Sequence, residues 1–211
     1  MQVSNKNVVI TGGSMGIGAS LAEAFAAAGA NVLVVARSVD KLAALADRIG
    51  GRYLAADLST SEGVDGLVDK CVDAMGHVDI WINNAGVETS DAFAHTDRDT
   101  IRTVARVNFE APVLLTKDAL EHMLERGSGH IVQMSSVAAA ITFPGLVAYA
   151  GTKAGLTHFN ENLRVEVAGH NIGLTVVAPG PVDTAMWDRL EGADAYPVSY
   201  THLTLPTTPY V

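Results

Sequence analysis

Asn7-Val-Val-Ile-Thr11 runs without a break into Gly12-Gly13-Ser14-Met15-Gly16-Ile17-Gly18, and the helix-forming Ala-Ser-Leu-Ala-Glu-Ala-Phe follows at once. A short β-branched run, a glycine-rich turn and an alanine/leucine stretch are the parts of a strand–turn–helix junction. Glycines there let the backbone turn tightly, approach a pyrophosphate and pack the helix against the strand. The helix start then offers free N–H groups and the positive end of its dipole to an anion. Alone, such a pattern also describes an ordinary turn, so its weight rests on what surrounds it.

What surrounds it is alternation. Val32–Ala36, Tyr53–Ala56, Val78–Ile82, His130–Met134 and Ile172–Val177 read as further strands after Asn7–Thr11. They are apolar on both faces, as strands covered by helices on either side are. Between them the spacing predicts helices over Gly16–Ala28, Val39–Ile49, Ser61–Met75, Arg98–Leu124 and Ala148–Gly169. One helix per crossover predicts an α/β fold, a three-layer doubly wound parallel sheet of the Rossmann type. In that frame the first turn becomes a dinucleotide site, with Gly12, Gly16, Ile17 and Gly18 as its cofactor contacts.

Which dinucleotide is decided at the end of the second strand. NAD sites carry a carboxylate there, about 20 residues past the glycines, for the ribose 2′-hydroxyl. This chain reads Val34-Val35-Ala36-Arg37-Ser38, with alanine in the acidic position and a guanidinium after it. Arginine grips a 2′-phosphate bidentately, and such charge-assisted bonds contribute roughly 1.5–3 kcal/mol. The alternative is a solvated arginine that starts a helix. The missing carboxylate points to NADP(H) as the preferred cofactor, with NAD(H) second.

Composition narrows the function classes. In 211 residues, 48% are hydrophobic, 18% are charged and the formal net charge is −9. That balance suits a folded domain and argues against nucleic acid as a partner, which needs a basic surface. A single cysteine, Cys71, rules out an internal disulfide, and no Cys/His cluster has metal-ligand spacing. A cytoplasmic location, without signal peptide or membrane segment, is the expectation. Cys71 reads as a core residue, while His95, His122 and His158 read as surface positions.

The remaining chemistry lies in the second half. Tyr149-Ala-Gly-Thr-Lys153 puts a phenol and an ammonium one helical turn apart on the same face, and Ser136 stands thirteen residues before the tyrosine. Hydride transfer to a carbonyl needs a proton donor for the developing alkoxide, and the reverse needs a base. Tyrosine, with an ordinary pKa of about 10, is a poor one at neutral pH, and a nearby ammonium favours its phenolate. Ser136 can hold the substrate oxygen as charge builds on it.

With Asn83-Asn84-Ala85-Gly86 after the fourth strand, Asn108 in the next helix and Pro179-Gly180-Pro181-Val182-Asp183-Thr184 after the sixth, these motifs resemble the short-chain dehydrogenase/reductase family. The resemblance covers residues 1 to about 190, with every motif in the family's order. It implies an oxidoreductase that moves a hydride between NADP(H) and a carbonyl or secondary alcohol, with Asn108, Ser136, Tyr149 and Lys153 as catalytic residues. Lys153 would also bind the nicotinamide ribose, and Asn108 would support a water in a proton relay. Ser14 would meet the adenosine ribose or its phosphate, Asp57 and Leu58 the adenine, and Asn84, Ala85 and Gly86 the ribose side. Pro179 and Gly180 join the cofactor contacts, with Thr184 and the Val182 backbone on the carboxamide. Family members that prefer NADP(H) often carry a basic residue where this chain has Met15, so Arg37 would act alone. Ala138, Phe143, Pro181 and Met186 suggest an apolar substrate pocket, and Met186 and Trp187 stand where the family builds a lid. A silent dinucleotide-binding regulator or scaffold is the alternative, against which the complete catalytic set argues. The family implies a homodimer or homotetramer for the full-length form.

The last stretch departs from this pattern. Only 27 residues follow Thr184, too few for a lid, the family's next helix and its seventh strand. Val198–Thr207 reads as the translation of GTC TCT TAT ACA CAT CTG ACG CTG CCG ACG, which resembles a transposon-end adapter used in preparing DNA libraries. The expectation is an oxidoreductase domain over residues 1–197, lacking its last strand, and a non-native tail over 198–211.

Overall fold

Each of the six predicted strands is present in the computed structural model, which describes residues 2–89 and 91–182. They are β1 (Asn7–Thr11), β2 (Asn31–Ala36), β3 (Arg52–Ala55), β4 (Ile80–Asn83), β5 (Gly129–Met134) and β6 (Ile172–Val177). Among the described residues they form one sheet in the order β3-β2-β1-β4-β5-β6, with every pair parallel. The winding reverses between β1 and β4, where Ile10 lies opposite Val34 on one side and Ile82 on the other. A crevice opens beyond the carboxyl ends of strands at such a reversal.

Period-2 alternation divides the strand residues between two cores. Val9, Leu33, Trp81 and Ile131 face one layer, with Leu67, Cys71, Leu115 and Met123 packed on them. Val8, Ile10, Val34 and Ile82 face the other, against Leu21, Phe25, Leu42 and Leu45. The sheet is therefore covered on both faces, as the doubly wound reading requires. β3 departs from the expectation of strands apolar on both faces: Arg52, Tyr53 and Ala55 are exposed, β3 being an edge strand that among the described residues pairs only with β2.

The helices are α1 (Gly16–Ala27), α2 (Val39–Ile49), α3 (Ser61–Val64), α4 (Leu67–Met75), α5 (Arg98–Ala105), α6 (Ala111–Arg126) and α7 (Val147–Glu166). Two predicted helices are broken. The one over Ser61–Met75 stops at Asp65 and restarts after Gly66, whose φ of 68° leaves the helical region. The one over Arg98–Leu124 contains a wide π-type turn at Arg106–Glu110, directly before Pro112 near the start of α6. In an unbroken α-helix the Pro112 ring would strike the carbonyl of residue 108, and the wider turn removes that clash.

The opposite end of the sheet is tied by Asp79, just before β4. Its carboxylate accepts the Asn7 N–H at 2.9 Å and lies 3.3 Å from Lys6, 3.1 Å from His77 and 3.6 Å from Arg126. Burial pushes this carboxyl upward, but the Asn7 N–H and the Lys6 and His77 charges together hold it below its ordinary value. No helix among the described residues is long and apolar enough to cross a membrane. Thr184, Met186, Trp187 and the residues on which the readings of an absent last strand and a 198–211 tail rest lie outside the described residues.

Candidate active site

A cleft of about 530 Å³ lies over the strand ends, lined from one side by the Gly12–Gly18 turn and from the other by Ser136, Tyr149 and Lys153. Its size is that of a small-molecule or cofactor site. The turn is held by side chains as well as by glycine. Thr11 Oγ1 donates to the Ile82 carbonyl at 3.3 Å and accepts the Asn84 and Ala85 N–H groups at 3.1 and 3.2 Å. Asn84 Nδ2 donates back to the Thr11 and Gly12 carbonyls at 2.9 and 3.3 Å. Gly12 has a φ of 67°, and a Cβ there would come within 2.7 Å of Ala85 Cα; a Cβ on Gly18 would strike the Gly12 carbonyl oxygen. Helix α1 follows Met15, which supplies no side-chain cap, and has no acidic residue in its first turn. Its leading N–H groups are thereby left for an anion, the role the sequence suggested.

Ser14, Gly16, Ile17, Ala36, Arg37 and Leu58 all line the cleft. Asp57 is not among them. Its carboxylate turns to Ser59, accepting the N–H at 3.0 Å and the hydroxyl at 2.7 Å. The Ser59 backbone bond outweighs the effect of burial, and with the Ser59 hydroxyl and the Arg37 charge it holds this carboxyl below its ordinary value. Two lining residues here were not singled out from the sequence, Ser59 and Lys41. Lys41, in the first turn of α2, brings a second cation to the Arg37 end of the cleft. Its spacing of four from Arg37 was the available signal.

At the other end, α7 carries Tyr149 and Lys153. Lys153 is 3% exposed, and its Nζ donates to the Met134 carbonyl at 2.7 Å. The Lys153 carbonyl accepts from Ser135 Oγ at 3.2 Å, and Ser135 and Thr157 hydroxyls share a 2.7 Å bond, so β5 grips α7 at this turn. Burial pulls the ammonium down to about 8. The Ser136 side chain faces the Tyr149 hydroxyl closely enough to lower its pKa, and it accepts the Ala138 N–H at 3.2 Å.

One expectation is reversed here. Lys153 was expected to draw the phenol toward neutral pH. In the structure burial raises Tyr149 above its ordinary value, the Glu88 charge adds to the rise, and the Ser136 bond only partly opposes it. The reason is orientation: the ammonium is turned onto the Met134 carbonyl and sits 5.7 Å from the Tyr149 ring centroid.

Asn108 sits in the π-type turn, fully buried, and is not a wall residue of the cleft. Its amide accepts the Val87 N–H at 2.8 Å and donates to the Val87 carbonyl at 2.7 Å and to Thr152 Oγ1 at 3.3 Å. It thus clamps the Asn84–Ala85–Gly86 segment from behind; a Cβ on Gly86 would stand 3.5 Å from both Asn108 Oδ1 and Lys153 Nζ. Pro179, Gly180, Pro181 and Val182 close the cleft after β6, where the Pro179 carbonyl accepts the Val137 N–H at 3.0 Å. Ala138 and Phe143 also line it.

The bland sequence readings fare unequally. Cys71 is fully buried and its thiol is pushed up to about 12 by burial, as suits a core residue. His95 and His158 are exposed, but His122 is half-buried and its Nε2 accepts the Val78 N–H at 3.2 Å.

A parallel sheet with a glycine turn at its reversal and a Ser–Tyr–Lys cluster at the far end of one cleft is the build of a dinucleotide-binding oxidoreductase. Comparison with known proteins agrees. The family model for short chain dehydrogenases matches residues 6–194. A short chain dehydrogenase of Pseudocercospora fijiensis is 35% identical over 207 residues, covering 93% of this chain and 67% of its own. Dehydrogenase/reductase SDR family member 7B of Bos taurus is 34% identical over 86% of this chain, which spans 59% of that relative's length. The crystal structure of a metagenomic short-chain oxidoreductase in complex with NADP superposes with a TM-score of 0.80 at 31% identity, covering 86% of each chain. This chain belongs to the short-chain dehydrogenase/reductase family.

Proposed function

We propose that the chain transfers a hydride between NADP(H) and a carbonyl or secondary alcohol, through Ser136, Tyr149 and Lys153 assisted by Asn108. The observation that carries this reading is the meeting of Ser136, Tyr149 and Lys153 in the same cleft as the uncapped start of α1. The α1 start fits a pyrophosphate, and Gly12, Ser14, Gly16, Ile17 and Gly18 would hold it. Asn84, Ala85, Gly86, Lys153, Pro179, Gly180, Val182 and Thr184 would hold the nicotinamide half. Arg37 and Lys41 would bind the 2′-phosphate, in a place where Ala36 offers no carboxylate to repel it. NADP bound to the metagenomic relative supports the same preference.

The bound cofactor supplies or accepts the hydride. The protein manages the proton and the charge. Ser136 orients the substrate oxygen toward the Tyr149 hydroxyl, which is protonated at neutral pH as a phenol with an ordinary or raised pKa is. The protonated phenol can give its proton in carbonyl reduction, while alcohol oxidation needs the phenolate and speeds up as pH rises. Asn108 holds Val87 and, behind Gly86, the space next to Lys153 Nζ.

The test is NADPH and NADH consumption over a panel of ketones, with Tyr149→Phe as control. Turnover is expected with NADPH and lost with Tyr149→Phe; turnover that survives the substitution sinks the mechanism. Arg37→Ala should erase most of the preference for NADPH over NADH in dissociation constants. A cytoplasmic location and a homodimer or homotetramer of the full-length form complete the reading, and the exposed apolar Phe109, Leu114 and Val147, on and beside α6 and α7, support the association. Light scattering on the purified protein tests it. The domain reading places the oxidoreductase unit at 1–197 and a non-native tail at 198–211, and sequencing the source locus tests that.

A further inference from the structure

Helix α7 is fastened to the π-type turn along the face that Thr152 and Gly155 share. Thr152 is half-buried and is not a wall residue of the cleft. Its Oγ1 accepts from Asn108 Nδ2 at 3.3 Å and donates to the Tyr149 carbonyl at 2.7 Å. The second contact is apolar: a Cβ on Gly155 would come within 3.2 Å of the Phe109 ring, so the missing side chain lets the turn close on α7. Asn108 Nδ2 gives its two hydrogens to Thr152 and the Val87 carbonyl, while Oδ1 accepts the Val87 N–H. Gly86 and Val87 line the cleft, as Tyr149 does. An unbroken run of hydrogen bonds therefore joins two of its walls, from Val87 through Asn108 and Thr152 to the backbone of the residue that carries the phenol. A helical threonine has few rotamers, and the bond to the Tyr149 carbonyl selects the one that turns the hydroxyl oxygen to Asn108.

We propose that the Thr152 hydroxyl is a positioning group: it sets where the Tyr149 phenol stands relative to the Gly86–Val87 wall, on which the nicotinamide half of the cofactor would lie. This rests on the oxidoreductase reading above and adds to it a residue that lines no part of the cleft. Without the hydroxyl, one N–H of the fully buried Asn108 amide loses its partner, and packing alone holds the Tyr149 turn to the Val87 wall. A small shift between the proton donor and that wall slows the reaction without changing what binds.

The experiment compares the parent with Thr152→Val, which keeps the shape and removes the hydroxyl, and Thr152→Ser, which keeps the hydroxyl and removes the methyl. kcat and KM are measured with NADPH and a ketone that the parent reduces, and the NADPH dissociation constant by fluorescence titration. Separately, the cofactor-free proteins are labelled with 13Cζ-tyrosine, and the Tyr149 resonance is assigned by its loss in Tyr149→Phe. In Thr152→Val, kcat is expected to fall by about tenfold to a hundredfold, the scale of a small misplacement, with the NADPH dissociation constant within about threefold of the parent's. The Tyr149 resonance should be displaced in the same variant. Thr152→Ser should return kcat to within about threefold of the parent and the resonance to its parental position. A Thr152→Val protein with parental kcat and resonance overturns the proposal. So does an equal loss in both variants, or a loss confined to NADPH affinity or to Tm. If the parent reduces no ketone, the oxidoreductase reading fails and the resonances decide alone. Displaced in Thr152→Val and restored in Thr152→Ser, they show that the hydroxyl still positions Tyr149; unmoved in both, they show that it does not. Thr152→Ala stands in, with the same outcomes, if the valine variant does not fold.

Discussion

In a Lys153→Met variant, a buried ammonium stem is exchanged for an uncharged thioether chain of similar length that the same apolar slot can hold. The magnitude follows from burial. The lysine falls from its ordinary 10.5 to about 8, which at roughly 1.4 kcal/mol per pH unit is a cost of about 3 kcal/mol to the folded state at pH 7. Methionine removes that cost but leaves the Met134 carbonyl without its 2.7 Å donor, a loss of about 1–2 kcal/mol. The cofactor-free variant should therefore be about 1–2 kcal/mol more stable than the parent at pH 7, although it loses turnover. The sign with pH is set by proton counts. Between pH 8 and 10.5 the unfolded chain holds the lysine proton and the folded chain has shed it, so parent stability rises with pH through that window. The advantage of the variant should shrink to nothing by about pH 10. Scanning calorimetry without cofactor reads this as a Tm gain of about 2–8 °C at pH 7 that is gone at pH 10. A variant destabilised equally at both pH values would refute the argument that burial of the charge, rather than its hydrogen bond, dominates at this position.

Three further outcomes are expected. Gly18→Ala should cost about 1–3 kcal/mol in urea unfolding and most of the NADPH affinity, because its Cβ meets the Gly12 carbonyl; unchanged affinity by fluorescence titration would count against the turn as the cofactor cradle. Asp79→Asn should lower stability by about 1–2 kcal/mol at pH 7 through weaker bonds to Asn7 and Lys6. The parent should lose that increment as pH falls through the lowered Asp79 value, below 3.8, while the variant should not, a contrast that urea unfolding at pH 7 and pH 3 reads. Asn160→Thr should raise stability by about 1 kcal/mol, since the Asn160 amide is fully buried with neither end bonded among the described residues. A threonine hydroxyl there can bond the carbonyl one turn back, and a lower urea midpoint for the variant would show that the amide has a partner after all.

Much of this was legible because its information is local. The period-2 runs at β1, β2 and β4 are buried on both faces as read, since a strand between two helical layers has no polar side to advertise. The glycine turn is equally local: three backbone constraints within a few residues leave only glycine. The four-residue spacing of Tyr149 and Lys153 places both on one helical face whatever surrounds them.

Other features depend on what docks against what. Helix periodicity runs straight through residues 98–124, and although Pro112 marks a break there, it does not show that the π-type turn carries Asn108 inward to meet Val87, 21 residues away in sequence. The edge position of β3 depends on sheet order, which no strand encodes alone. Lys41 reaches the Arg37 end of the cleft because α2 starts at its rim. The largest difference is in the proposed catalytic pair. Sequence spacing alone determined that an ammonium stands one turn from the Tyr149 phenol, but the tertiary fold decided what that ammonium touches. With the Met134 carbonyl at 2.7 Å and water excluded, the nearest dipole takes the charge, and burial together with Glu88 sets the phenol instead. Proximity along a helix follows from covalent geometry, whereas direction of charge and loss of solvent arise only when separate elements close around a side chain.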